Sequence, residues 1–374
     1  MAATGLYVHI PFCLQKCHYC DFPSYPLRHL ADEYLRAMAR EAENYIAQDI
    51  SVGTVFIGGG TPTCLASEEL ERLLALLQRS FFIAADAEFT VEANPGTVTA
   101  RKLEVLKAGG VTRLSFGVQA FQPELLAKLG RRHTPADVYT GFRLARERGF
   151  ANINLDLMSG LPGQSLAQWR ETLDKAIALQ PEHIAAYSLK VEEGTLFHRQ
   201  MRAGCLSLPD EETDAAMTAA ARERLRAAGF EHYEISNFAK PGCRSRHNLR
   251  YWRNETYIGI GCAAWSYWDG VRRGNVTGVA DYIARMLAGQ PATAEREPVT
   301  RQGAMSETMM LGLRLREGVS RPDFAARFGI DPLEAYPEII AGLVRQKLIA
   351  VDAGRICLTE RALPVGNLVF GAFV

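Results

Sequence analysis

The stretch HIPFCLQKCHYCDF (residues 9–22) sets Cys13, Cys17 and Cys20 in a C-x₃-C-x₂-C array, followed by Asp21 instead of a fourth cysteine. Three thiolates from one short loop leave a metal site one ligand short. Zinc takes four N, S or O ligands, which His18 or His9 would complete as a Cys₃His site. Structural zinc knots, however, usually join two separated ligand pairs, and no second pair follows here. All-cysteine iron–sulfur sites use four thiolates, and the scattered Cys64, Cys205, Cys243, Cys262 and Cys357 offer no evident fourth. They read as small buried apolar residues. A third option, beside a structural zinc site, is a four-iron cluster with one iron left open for a ligand, the mark of a reactive site.

Outward from this loop, short apolar runs alternate with helical stretches. GLYVHI (5–10), TVFIG (54–58), EFTVEA (88–93), TRLSFGV (112–118), NINLDL (152–157) and HIAAYSL (183–189) read as strands. Between them, Ser67 with Glu68 and Glu69 opens a helix carrying Leu70, Leu73, Leu74 and Leu77 on one face. Thr134-Pro135 opens another, which Gly149 ends. Such alternation predicts a parallel α/β sheet with right-handed crossovers, as an open doubly wound sheet or as a barrel. In both, ligands gather at the carboxyl ends of the strands. Those ends carry Gly58-Gly59-Gly60-Thr61, Glu92, Gln119 and Asp156, with Arg131 beyond a short helix. Polar groups at successive strand ends read as a ring around one ligand.

The 374 residues balance 42 Lys+Arg against 42 Asp+Glu, so no net charge draws the chain to nucleic acid or to an anionic membrane. No apolar run reaches the roughly 18 residues of a spanning helix, and MAATGLYVHI lacks a secretory pattern. A cytoplasmic protein without stable membrane insertion is expected. The organisation read from the pattern is a barrel region (1–200), an accessory region (201–299) and a C-terminal region (300–374). The last has helices followed by a hairpin at AVDAGRICLTERAL, as in a winged helix.

The cysteine spacing, with aromatic Tyr19 before the third thiol, resembles the radical S-adenosylmethionine (SAM) superfamily. With GGGTPT, EANPGT, SFGVQAF, NLDLMSGLPGQ and YEISNFAKPG…RHNLRYW in the same order, nearly the whole chain is similar to the oxygen-independent coproporphyrinogen oxidase-like family, and within it to the HemW-type haem chaperones. The resemblance implies a partial (β/α)₆ barrel with an accessory region and a winged-helix-like C-terminal domain. It further implies a [4Fe–4S] cluster on Cys13, Cys17 and Cys20, with SAM on the open iron. Tyr7, Tyr19, Gly59, Gly60, Thr61, Glu92, Gln119, Arg131 and Asp156 are the implied SAM contacts.

HNLRYW (247–252) matches the H-N-x-x-Y-W motif associated with haem in those chaperones. Its chemistry suits the task. His247 offers an imidazole to iron, while Tyr251 and Trp252 offer flat faces to a porphyrin. Asn248 completes the motif, and Arg244, Arg246, Arg250 and Arg253 suit propionates. The implied partners are haem, an acceptor haemoprotein and an electron donor for the cluster. The alternative is a coproporphyrinogen III dehydrogenase working through a 5′-deoxyadenosyl radical. Against it, Phe22 stands where that enzyme has a further cysteine, and the first strand starts at about residue 5, without the enzyme's amino-terminal arm. One departure from the chaperones is Trp265, where relatives commonly carry a histidine.

Overall fold

The computed structural model describes residues 3–46, 48 and 50–374. Strands β1 (Thr4–Ile10), β2 (Ser51–Gly59), β3 (Phe82–Ala93), β4 (Arg113–Gln119), β5 (Asn152–Ser159) and β6 (His183–Ser188) lie side by side in chain order, all parallel. These are the runs expected from the sequence. The largest shift is in β3, which begins at Phe82, where Phe82 and Ile83 pair with Ser51 and Val52 before a register shift. Its AADA segment (84–87) has no β-branched or aromatic residue to signal the extension.

Side-chain alternation explains why this sheet encloses a site. On β4, Leu114, Phe116 and Val118 are buried in the main apolar core, and on β5 so are Ile153, Leu155 and Leu157. The alternate residues, Arg113 and Ser115 on β4 and Asn152, Asn154 and Asp156 on β5, point to the other face. Helices Ala31–Ile46, Ser67–Ser80, Ala100–Ala108, Pro135–Glu147 and Leu166–Ala178 cover the outside. The inside is polar, so the sheet curves around binding groups instead of a second apolar layer. Helix starts follow local chemistry: the Thr134 hydroxyl accepts from the Asp137 amide at 3.3 Å, and Asp137 accepts from the Thr134 amide at 2.7 Å. The helix at Ser67 has Ala66 in the cap position, whose amide donates to Glu69 at 2.6 Å.

Strands from residues 201–299 extend the same sheet at both edges. β7 (Glu231–His232) and β8 (Asn237–Ala239) add antiparallel beside β6. β9 (Tyr257–Ile260) adds parallel to β1, and β10 (Trp265–Trp268), β11 (Val271–Asn275) and β12 (Thr293–Pro298) follow as a meander. Between β8 and β9, helix Arg246–Trp252 lies across the amino end of the barrel. Its segment shows little periodicity in sequence, and only the fold reveals a helix there. Residues 304–373 build a second apolar core. There β13 (Val319–Ser320), β14 (Ile349–Val351) and β15 (Arg355–Leu358) form a small antiparallel sheet, with β14–β15 as the expected hairpin. Among the described residues no helix is long and apolar enough to cross a membrane. Of the scattered cysteines, Cys64 and Cys262 are buried as expected, whereas Cys205 is exposed.

Candidate functional site

A cavity of about 680 Å³ opens at the carboxyl ends of the strands, and all three loop cysteines line it. Tyr19, Gly59, Gly60, Thr61, Glu92, Gln119, Arg131 and Asp156 line it as well. Tyr7 does not: its hydroxyl is 3.0 Å from His9 Nδ1, deeper in the barrel. The other His9 nitrogen donates to the Pro23 carbonyl at 2.9 Å, so His9 has no free nitrogen for a metal. His18 Nδ1 donates to the Lys128 carbonyl at 2.8 Å, and its Nε2 faces Gly130. Among the described residues no three His, Cys, Asp or Glu side chains converge as for a single ion.

The thiols instead face groups able to support a larger centre. Cys13 Sγ is 3.5 Å from Thr61 Oγ1, Arg131 donates to Cys17 Sγ at 3.5 Å, and Cys20 Sγ is 3.9 Å from Ser24 Oγ. Burial pushes the Cys13 and Cys20 thiols up. Beside the Cys13 end of the loop, the glycine run gives the cavity a stretch of lining without side chains. Gly59 has φ +106°, and a β-carbon there would run into the His9 ring. One at Gly60 would come within 2.6 Å of the Phe12 carbonyl oxygen. Gln119 is held at φ +67°, rare for a residue with a side chain, and its Oε1 is buried without a partner. Arg131 Nε is likewise buried and unpartnered. Three thiols lining one cavity, a glycine run beside them and orphaned polar atoms fit a cluster with an amphipathic ligand beside it.

Two carboxylates form the polar side of the cavity. Glu92 accepts from the Gly59 amide at 3.2 Å. Burial, aided by the charge of Asp156, pushes its carboxyl up to about 8. Asp156 accepts from Asn154 Nδ2 at 2.7 Å, from Ser115 at 3.3 Å and from the Tyr187 hydroxyl. Burial raises its carboxyl too, against those donors. Ser115, Asn154 and Tyr187 were missed in the sequence. The signal was there, as polar residues at alternate positions in otherwise apolar strands.

The H-N-x-x-Y-W residues sit apart from this cavity, at the opposite end of the barrel. His247 is 1 % exposed. Its Nδ1 is 2.9 Å from Thr54 Oγ1 and its Nε2 is 2.9 Å from the Tyr251 hydroxyl. Burial and the Arg250 charge push its pKa down to about 3, so the ring is neutral. Gly5 lets the helix approach: a β-carbon there would lie 3.3 Å from His247 Cε1. Asn248 donates its amide to Ser245 Oγ, and Trp252 stacks under the Arg314 guanidinium, 4.4 Å away. The four arginines already have partners. Arg244 and Arg253 reach Glu317, Arg246 reaches Asp86, and Arg250 reaches Glu255. Trp265 lies across Gly274, whose β-carbon would meet the indole at 2.8 Å.

A parallel barrel with three thiols at its carboxyl mouth defines a radical SAM protein, and the Radical SAM superfamily model matches residues 7–176. The HemN C-terminal domain model matches residues 299–365. The chain is 44 % identical over 372 residues to "Heme chaperone HemW" of Bacillus subtilis (strain 168), covering 98 % of both chains. It is 39 % identical to the protein of the same name from Escherichia coli (strain K12), over 87 % of this chain and 86 % of that one. The chain therefore belongs to the HemW family of radical SAM proteins. The fold also matches the Escherichia coli coproporphyrinogen III oxidase HemN, described as a radical SAM enzyme, with TM-score 0.88 and 24 % identity over 99 % of this chain and 90 % of that one.

Proposed function

We propose that this protein is a haem chaperone that carries a [4Fe–4S] cluster and SAM and passes haem to an acceptor haemoprotein. The observation that carries this reading is the 44 % identity along 98 % of the chain to a relative named a heme chaperone. Cys13, Cys17 and Cys20 would hold the cluster, which when bound supplies an open iron and a site for one-electron chemistry. The Gly58–Gly60 run would take the SAM amino group, Glu92 would accept from its ribose diol, and Gln119, Arg131 and Asp156 would complete the ring. Tyr7 would act from behind, through His9.

Haem would be held by His247, Asn248, Tyr251 and Trp252. Since both His247 nitrogens are already hydrogen-bonded and the ring is buried, ligation requires the imidazole to leave Thr54 and Tyr251. Exchanging two such bonds costs about 1 kcal/mol each, well within what an iron–imidazole bond can offset. The acceptor's chemistry would then decide where haem goes next.

The test is haem titration of the anaerobically reconstituted protein, followed by absorbance, beside His247→Ala. Saturable binding that weakens in the variant supports the chaperone. Absent binding, together with SAM-dependent consumption of coproporphyrinogen III, would establish the dehydrogenase instead.

A further inference from the structure

The cavity and the haem-motif helix are joined by an unbroken line of hydrogen bonds through the barrel interior. Asn154 Nδ2 donates to Asp156 Oδ1 at 2.7 Å, and Asn154 Oδ1 lies 2.6 Å from His183 Nδ1. His183 Nε2 is 2.8 Å from the Tyr233 hydroxyl, and the Tyr233 oxygen accepts from the Ser245 amide at 3.4 Å. Ser245 is the N-cap of helix Arg246–Trp252, its Oγ accepting from the Asn248 amide.

The direction of each bond is fixed. Asn154 turns its amide nitrogen to Asp156 and Ser115 and its oxygen to His183. His183 Nδ1 then carries the proton and Nε2 accepts from Tyr233. The Tyr233 oxygen is left to accept from Ser245. Every donor therefore points toward the cavity, and such aligned bonds polarise one another in a buried setting. Asn154, His183 and Ser245 are all at most 3 % exposed, so water does not compete along the line.

We infer that this line couples the two ends of the barrel, so that a ligand donating to Asp156 in the cavity changes how firmly Ser245 caps the helix that keeps His247 buried. The inference rests on the proposed function and names the regulation of its haem site: SAM sets haem access. A hydroxyl or ammonium donor arriving at Asp156 lessens its demand on Asn154 and weakens the chain link by link. The cap loosens, and the helix exposes His247 more often. The coupling is reciprocal, so haem changes SAM affinity by the same factor. Asn154, His183 and Tyr233 are positioning residues in this scheme and touch neither ligand.

The experiment uses the full, cluster-loaded chain. Amide hydrogen exchange over residues 245–252 is measured with and without saturating SAM, and haem affinity is measured under the same two conditions. The expected result is faster exchange and a haem affinity raised about 5- to 150-fold by SAM, the usual span of such couplings. Tyr233→Phe, which keeps the ring and removes the hydroxyl, is expected to retain binding of both ligands and lose the SAM effect on each readout. His183→Phe, which keeps a ring and removes both nitrogens, cuts the line at a second point and is expected to do the same. SAM binding that leaves exchange and haem affinity unchanged in the parent protein would overturn the coupling while sparing the chaperone reading. A SAM effect that persists in both variants would overturn this route. Failure of the chain to bind haem at all would overturn the chaperone reading, and a SAM effect on exchange would then be the only part to survive.

Discussion

Glu88 Oε1 accepts from the backbone amide of His247 at 2.9 Å, while its second oxygen accepts from Arg246 at 2.9 Å. One carboxylate from the third strand thus closes the first turn of the helix that occupies the amino end of the barrel. Helix amino termini expose unpaired N–H groups and a partial positive charge, and a carboxylate there satisfies both. The short helix of RHNLRYW is stable in this place because Glu88 of the barrel adds to the local cap from Ser245.

Glu88→Ala should therefore release the helix. Hydrogen bonds to a charged group contribute about 1.5–3 kcal/mol, and the variant is expected to lose about that much in urea unfolding. Exchange over residues 246–252 should accelerate, with little change at the cysteine loop. Equal acceleration throughout the chain would mean that Glu88 supports the fold at large.

Thr54→Val tests the burial of His247 from the other side. Valine matches threonine in shape and removes the hydroxyl that meets both His247 Nδ1 and Arg250 Nε. A buried polar atom left unpaired costs about 1–3 kcal/mol, so the variant should unfold at lower urea. If haem binding draws His247 out of this pocket, the same loss returns as haem affinity. A gain of roughly tenfold for each 1.4 kcal/mol is expected in a titration. Unchanged or weaker affinity would count against release of His247 as the binding step.

The parts legible in the sequence were those whose signal is local. The cysteine loop, the glycine run and the alternating strands each declare themselves within a dozen residues. Glu92 and Asp156 were legible too, because a parallel fold turns strand ends into a site. The helix at 246–252 was not, since its segment lacks periodicity and two of its first amides are held by Glu88, 158 residues earlier in the chain. The polar interior was signalled by the alternate polar residues of β4 and β5, but its pairing was not, since only register sets Asn154 opposite His183. His247 was legible as a residue of chemical interest, but not its depth, because burial depends on Gly5 and Thr54 in strands it does not follow.

Cysteine substitutions separate the cluster loop from other thiols. Cys13→Ala, Cys17→Ala and Cys20→Ala should each bring iron and sulfide in the reconstituted protein close to background. Cys262→Ala should leave both unchanged, since Cys262 is buried against the Tyr34 hydroxyl, away from the cavity lining. Iron retained by any of the three loop variants would mean that another group holds the metal.

Glu92 gives the folded protein a defined response to pH. Its carboxyl lies at about 8 in the fold and near 4.3 in an unfolded chain. Between those values the folded state holds a proton that the unfolded state has released. Stability therefore falls as pH rises through this window, by up to about 1.4 kcal/mol per pH unit for this one group. Glu92→Gln keeps the size and removes the titration. Metal-free wild type and variant, unfolded in urea from pH 5 to pH 8.5, should diverge steadily in the variant's favour. Glu41, pushed up to about 7 by burial, is present in both proteins and cancels in the difference. A gap that stays constant with pH would mean Glu92 is ionised across the range, with the Gly59 amide and Arg113 sufficient to hold its charge.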